Sequence, residues 1–268
     1  MLHPLRHFEA AKASFKSAVQ YRAGMLLTIL LSVVNVAVMY VIWGAVIAGG
    51  TYGGYTFEDM ILHTVLQLII NALIWDDWNN MLGNAIHDGG LYKYIIRPVS
   101  LFAYAFWWKA GSRAFAFFVE ALPMLLIFTA VFSPSFMTPE QPLAFLLALT
   151  LAFLYYLLFN MLIGFSAFWM KKTDGLEWIY IISRNILSGV LLPLSFYPET
   201  VQEVFFFLPF QYIYYVPSTA YIGNYALTSW NVTIWDSIII GTVGLIPLGI
   251  LTTTVWWIGS KHYEGVGV

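Results

Sequence analysis

Three polar side chains recur at a regular interval inside one apolar stretch of the sequence. His63, Gln67 and Asn71 follow each other at four-residue spacing, so a helix places them on one face. Because an unpaired polar group is costly in hydrocarbon, this face is expected to point into protein or into water. It could line the route of a transported molecule, or it could form hydrogen bonds between helices, worth about 0.6–2 kcal/mol each. The residue types alone favour the hydrogen bonds.

Arg184 is a second candidate, because it stands inside another apolar run. A charge within a membrane segment is a functional candidate by default. Arg184 lies about seven residues, or about 10 Å, into the run, so its side chain could also reach the headgroups. Three interpretations stay open. The side chain extends to the headgroups, forms an ion pair, or binds an anionic substrate or lipid headgroup. The partners for an ion pair would be Glu177, Glu120 or the pair Asp76–Asp77.

Asp76 and Asp77 form the centre of a Trp-Asp-Asp-Trp sequence at the end of an apolar run. Two adjacent carboxyl groups can perform acid–base or metal chemistry. Here the pair is expected instead to meet a nearby base at the membrane interface, and Lys93, Arg97 and Lys109 are the available ones. We therefore predict neither a catalytic residue nor a metal ligand at this position.

The sequence lacks the motifs of membrane-embedded enzymes. It has no cysteine, which excludes disulfides, thiolate zinc sites and thiol catalysis. It has neither His-Glu-x-x-His nor Gly-x-Ser-x-Gly, which argues against an intramembrane enzyme. An ion-coupled secondary transporter often shows two related halves and mid-membrane charges, and neither is evident. These two classes remain as alternatives, and no cofactor, metal or nucleic acid is predicted for this chain.

The composition is that of an integral membrane protein. Hydrophobic residues make up 60% of the 268 positions and charged residues only 10%, whereas soluble domains average about 25% charged residues. A membrane-spanning helix needs about 20 apolar residues. We predict an all-α fold and a single transmembrane domain over 1–268. Its six predicted spans are 24–48, 59–79, 112–132, 143–169, 177–197 and 232–259.

Basic residues alternate between the connections of these spans. Eleven of the twelve Lys and Arg residues lie in the N-terminal tail, in 80–113, at 171–172 or in the C-terminal tail, and Arg184 is the exception. The loops 49–58, 133–142 and 198–231 contain none. Because cytoplasmic loops retain positive charge, both termini are expected in the cytoplasm.

Three connections have a structure of their own. Residues 4–22 carry apolar side chains every three to four positions, which predicts an interfacial amphipathic helix, with a solvated helical tail as the alternative; the apolar positions are Leu5, Phe8, Ala11, Phe15, Ala18 and Val19. In 80–100, a short helix is expected to end at Gly89-Gly90. The external stretch 198–231 is too apolar for a solvated loop. Because Pro209 and Pro217 interrupt it, a re-entrant or interfacial hairpin is predicted there.

Two stretches resemble the permease subunits of ATP-binding-cassette exporters of the second type, in particular their small six-helix prokaryotic branch. The first is IHDGGLYKYIIRPVSLF, from Ile86 to Phe102, which is similar to a cytoplasmic segment of that family. The second is SGVLLPLSFYPETVQEVFFFLPFQYIYYVPSTAYIG, from Ser188 to Gly223, which is similar to the family's broken fifth span and external hairpin. Each motif is loose, whereas their order and placement are fairly specific.

The resemblance implies a dimer of permeases, identical or not, in a prokaryotic inner membrane, exporting an unidentified substrate. It also implies separate ATPase subunits that hold ATP and Mg²⁺, since this chain has no phosphate-binding loop. The segment 82–96 would be the coupling helix that docks on the ATPase. The residues expected to dock are Leu82, Asn84, Ile86, His87, Asp88, Leu91 and Tyr92. His63, Gln67, Asn71 and Arg184 are kept as pathway candidates.

Overall fold

A computed structural model describes residues 4–20, 22–47, 50–51, 53–96, 100–132, 134–227, 230, 232–261 and 263. The chain is all-helical, with 81% helix and no strand in these ranges. The α-helices are α1 (Pro4–Gln20), α2 (Arg22–Val46), α3 (Phe57–Ile74), α4 (Trp78–His87), α5 (Tyr92–Ile95), α6 (Leu101–Ala116), α7 (Leu122–Val131), α8 (Pro142–Phe165), α9 (Asp174–Leu187), α10 (Glu199–Phe207), α11 (Tyr215–Ile222) and α12 (Ile234–Lys261). Short 3₁₀ helices cover Pro134–Met137, Ser166–Phe168, Leu194–Phe196 and Pro209–Tyr212, and a π-helical turn, Phe117–Ala121, joins α6 to α7.

Five helical segments of the described chain are long and apolar enough to cross a membrane. They are Leu27–Val46, Phe57–His87, Leu101–Val131, Pro142–Phe168 and Ile234–Lys261. They coincide with the first, second, third, fourth and sixth predicted spans. The third needs a correction at its start, because its helix begins at Leu101 rather than near 112. Lys109, predicted in a cytoplasmic approach, therefore lies inside a long helix.

The predicted fifth span, 177–197, is a shorter helix followed by an irregular segment. Helix α9 has 14 residues, or about 21 Å, which is less than the roughly 30 Å of a hydrocarbon core. It ends before Gly189, whose φ of 84° lies in the left-handed region. The sequence predicted a break only at Pro193, and the structure interrupts the helix four residues earlier.

The core forms around α8, which packs against α3, α4, α11 and α12. Tyr155 of α8 donates a hydrogen bond of 2.7 Å to the Gly241 carbonyl of α12. Because Gly241 has no side chain, the Tyr212 ring approaches its backbone; a Cβ there would lie 2.6 Å from the ring. Small residues thus let α12 lie close to the core, as they do in many membrane helix pairs.

The predicted hairpin of 198–231 contains α10 and α11. Pro209 opens the 3₁₀ helix between them, as the sequence indicated. Pro217, the second predicted interruption, does not break a helix. It is the third residue of α11, in the first turn, where backbone N–H groups have no helical partner and proline is tolerated. Helix α11 then ends at Gly223, whose φ is 81°.

Helix α1 packs along α6 through small residues. Ala10, Ser14 and Ala18 are buried at four-residue spacing, and opposite them Gly111 lies against the backbone of Ala11. Phe15, a member of the predicted apolar face, stays 37% exposed. The buried face of α1 is therefore built from small side chains. The larger apolar side chain of Phe15 stays available to contact a surface outside the chain.

Candidate functional site

A cavity of about 700 Å³ lies between α1, α2, α3 and α6. Its walls combine hydroxyl groups, tryptophan rings and charged side chains from these helices, from α4, from the π-helical turn and from the segment between α3 and α4. Five charged residues line it. They are Asp76, Asp77, Lys109, Arg113 and Glu120. Charges are scarce in this chain, so their concentration around one cavity makes it the candidate site.

Asp76 and Lys109 form a buried ion pair at one wall. The Lys109 Nζ lies 2.8 Å from Asp76 Oδ2, and the two side chains are 0% and 6% exposed. The ammonium also donates to the Phe153 carbonyl of α8 at 2.9 Å. Pairing of Asp76 with Lys109, one of the predicted partners, is thus confirmed. Arg97 lies outside the described residues.

Arg113 lies one turn further along α6. Its Nη1 donates to the Ala72 carbonyl at 3.0 Å and its Nε to Ser112 Oγ at 3.3 Å. The guanidinium is 5.6 Å from the centre of the Trp75 ring. Arg113 therefore fixes α6 to the end of α3, since the last turn of α3 supplies the carbonyl that it binds.

Glu120 is placed by the π-helical turn Phe117–Ala121. Pro123 follows closely and lacks an N–H, so a regular α-helix would lose a hydrogen bond and would clash with the carbonyl four residues back. A π turn accommodates this, and such turns are frequent at functional sites. The Glu120 side chain faces the cavity, yet the residue is only 7% exposed.

Arg184 of α9 contacts Tyr156 of α8. Its Nη1 donates to the Tyr156 hydroxyl at 2.9 Å, and the guanidinium is 5.4 Å from the Tyr156 ring centre and 5.7 Å from that of Tyr180. Lys109 Nζ is 4.8 Å from the same Tyr156 ring. Within the described residues, no carboxylate forms an ion pair with Arg184. Aromatic rings, rather than the proposed acids, surround this cation.

These contacts form a polar layer across the bundle, from Asp76 through Lys109 and Tyr156 to Arg184. Its first three members stand in segments long and apolar enough to span a membrane. The sequence model of a family described as ABC-2 family transporter protein matches residues 26–267. The chain belongs to the ABC-2 transporter family. It is thus a permease component of an ABC transporter and is not itself catalytic. No curated protein matches it.

In this ABC-2 permease, the polar face of α3 makes contacts within the bundle. His63 Nε2 lies 3.0 Å from the Gly189 carbonyl and 3.1 Å from Gln67 Nε2; it can donate to the carbonyl or accept from the amide, so one of the two is a hydrogen bond in a given tautomer. Asn71 Oδ1 accepts from the Tyr214 hydroxyl at 2.7 Å. Asn71 also lines the cavity. Hydrogen bonds within the bundle, the interpretation that the residue types favoured, are present. A pathway role remains a prediction.

The predicted coupling residues of the permease divide into two groups. Leu82, Ile86 and Leu91 are buried in the chain's own core, so they are not available to a partner in this structure. Helix α4 packs tightly, because a Cβ on Gly164 of α8 would lie 2.9 Å from Leu82 Cβ. The other group is exposed. Its members are Asn84, His87, Asp88 and Tyr92.

The charged residues of the cavity were not identified as a site from the sequence. The sequence pattern places Lys109 and Arg113 in a basic cytoplasmic stretch and indicates Glu120 only as a partner for Arg184. One signal was available. Glu120 is an acid within a predicted span, and such residues are functional candidates.

Proposed function

We propose that this chain is one of two permease subunits of an ATP-driven exporter. Each permease has a separate ATPase subunit docked on its cytoplasmic side, and the substrate crosses the membrane through the dimer. The complex lies in the cell membrane, and both termini of the permease are in the cytoplasm. Helix α9, with the segment up to α10, forms a sixth, broken crossing, and α10–α11 form the external hairpin. The match to the ABC-2 family over residues 26–267 is the observation that carries this proposal.

The exposed side of α4 and α5 supports an ATPase contact there. Helix α4 buries one face against α8 and the 3₁₀ helix Ser166–Phe168, while His87 and Asp88 are exposed at its end. The turn at Gly89, with φ of 73°, separates the two short helices. A rigid segment with its apolar side anchored and its polar side free is suited to receive force from a partner.

The polar layer offers a route for that force. Asp76 stands two residues before α4, accepts a hydrogen bond from the Trp78 N–H at its start, and pairs with Lys109 of α6. Lys109 and Arg184 both approach the ring of Tyr156, so α9 is linked to the same layer. A displacement of α4 by ATPase closure would thereby reach α6, α8 and α9 together.

The double substitution His87→Ala plus Asp88→Ala is expected to lower transport-coupled ATPase activity several-fold without affecting folding. Both side chains are exposed, so few contacts within the permease are lost, whereas the contact with the ATPase is weakened. The measurement is substrate-stimulated ATP hydrolysis by the complete complex in vesicles.

Glu199→Ala plus Glu203→Ala on α10 is the matched control, because it removes two polar side chains from the predicted external side. Unchanged coupling in the α4 variant would refute the docking role. Uptake driven by an ion gradient without ATP would instead identify a secondary transporter, and catalytic activity of the permease alone would identify an enzyme.

A further inference from the structure

We propose that the cavity between α1, α2, α3 and α6 binds an amphipathic organic cation, with Glu120 as its counter-ion. If the chain is an exporter permease as proposed above, such cations are the class of substrate that it loads. The binding itself does not depend on that function.

Glu120 is a buried acid that no base of the described chain contacts directly. It is 7% exposed, and within the described residues it makes neither an ion pair nor a hydrogen bond. Arg113, seven residues and about 10 Å back along the helix, attracts its charge but does not contact it. A carboxylate at such depth is costly unless a cation or a hydrogen-bond donor meets it. The free side of Glu120 faces the cavity, so a ligand can supply that cation.

The two bases in the cavity wall make their direct contacts with groups other than Glu120. The Lys109 ammonium is used by Asp76 and by the Phe153 carbonyl, and it lies 4.3 Å from the centre of the Phe153 ring. Arg113 is hydrogen-bonded to the Ala72 carbonyl and to Ser112. Three acids and two bases line the cavity, so its walls carry a net charge of about −1 with all five ionised. A cationic ligand is favoured over an anionic one.

The remaining walls suit a cation that carries an apolar body. Trp75 and Trp108 line the cavity with aromatic rings, a group that attracts organic cations, and Met124 adds a flexible apolar contact. Ser32 is buried beside them and donates to the Thr28 carbonyl at 2.8 Å, so its lone pairs remain as acceptors. A volume of about 700 Å³ is within the range of sites for drug-sized ligands.

The test compares two ions of the same shape and opposite charge, tetraphenylphosphonium and tetraphenylborate. Their equilibrium binding to the purified permease in nanodiscs is measured with empty nanodiscs subtracted. The wild-type protein is expected to bind the phosphonium saturably, and Glu120→Gln to bind it at least about tenfold more weakly, since a buried charge pair is removed. Glu58→Gln is the matched control, because Glu58 is exposed and outside the cavity.

A second measurement leaves Glu120 in place, in case its substitution impairs folding. The chain has no cysteine, so Thr28→Cys introduces a single thiol at an exposed position of the cavity wall. The phosphonium is expected to slow its reaction with a maleimide, and the borate is not.

Equal binding of both ions, undiminished phosphonium binding by Glu120→Gln, or equal protection by both ions would each overturn the proposal. A phospholipid that copurifies in the cavity and is not displaced by the phosphonium would overturn it as well. Phosphonium binding to a complex that shows no ATP-dependent transport would support the binding site and refute the exporter function. ATP-dependent transport by a complex that does not bind the phosphonium would support the exporter function and refute the binding site.

Discussion

Lys109→Met is expected to destabilise the permease by about 3–5 kcal/mol, because it removes one partner of a buried ion pair. Lys109 is fully buried, and Asp76 Oδ2 lies 2.8 Å from its ammonium. Methionine has a similar length, so the cavity left behind is small and the main cost is the unpaired Asp76 carboxylate. The measurement is the free energy of unfolding of the purified permease in mixed micelles.

The double variant Asp76→Asn plus Lys109→Met separates this cost from a general packing defect. It removes both charges, so it is expected to recover much of the stability lost in Lys109→Met. Lys93→Met serves as the control, because Lys93 is exposed and surface substitutions usually change stability by less than about 0.5 kcal/mol. If Lys109→Met were no worse than Lys93→Met, the ion pair would not contribute to stability as argued.

The position of Lys109 shows what the sequence could not provide. Counting basic residues assigns it to the cytoplasmic side, and that count is useful for topology. Its burial depends on Asp76, 33 positions earlier in the chain, and on the Phe153 carbonyl of α8. Neither contact has a local signature, so only the folded chain reveals that this lysine belongs to a polar layer.

The spans were predictable where hydrophobicity alone determines them. Five of the six predicted segments correspond to helices long enough to cross a membrane. The stretch 177–197 is also mainly apolar, but Gly189 adopts a left-handed conformation and packs against Tyr215, and α9 ends there. Composition cannot show which glycine takes a positive φ. In the hairpin, Pro217 is tolerated because it falls in the first turn of α11, and that register is set by the fold.

The candidate site was predictable in part. The four-residue spacing of His63, Gln67 and Asn71 correctly indicated one shared helix face, and the structure finds hydrogen bonds on it. The place of Glu120 in the site could not be predicted from helical spacing, because its orientation follows from a π turn imposed by Pro123. An extra residue in one turn rotates the following positions, so the regular helical spacing used for prediction no longer applies.

Gly111→Leu is expected to detach α1 from α6 and to open the cavity wall that α1 provides. Any Cβ at position 111 would overlap the backbone carbonyl of Ala11, and a backbone cannot be relieved by a change of rotamer. Ser14, which lines the cavity and is 1% exposed, should then become accessible. The measurement uses Ser14→Cys, the single thiol of an otherwise cysteine-free chain, and follows its reaction with a maleimide.

The thiol at position 14 is expected to be protected with Gly111 in place and reactive in the Gly111→Leu background. Gly249→Leu is the matched control, since Gly249 is also inside a helix but has no atom within 4 Å of an added Cβ. The Glu120 site gives this experiment a second readout. If α1 forms one wall of that site, Gly111→Leu should also weaken phosphonium binding, and Gly249→Leu should not. A thiol that stays protected in Gly111→Leu would show that α1 is held by contacts other than its close approach to α6.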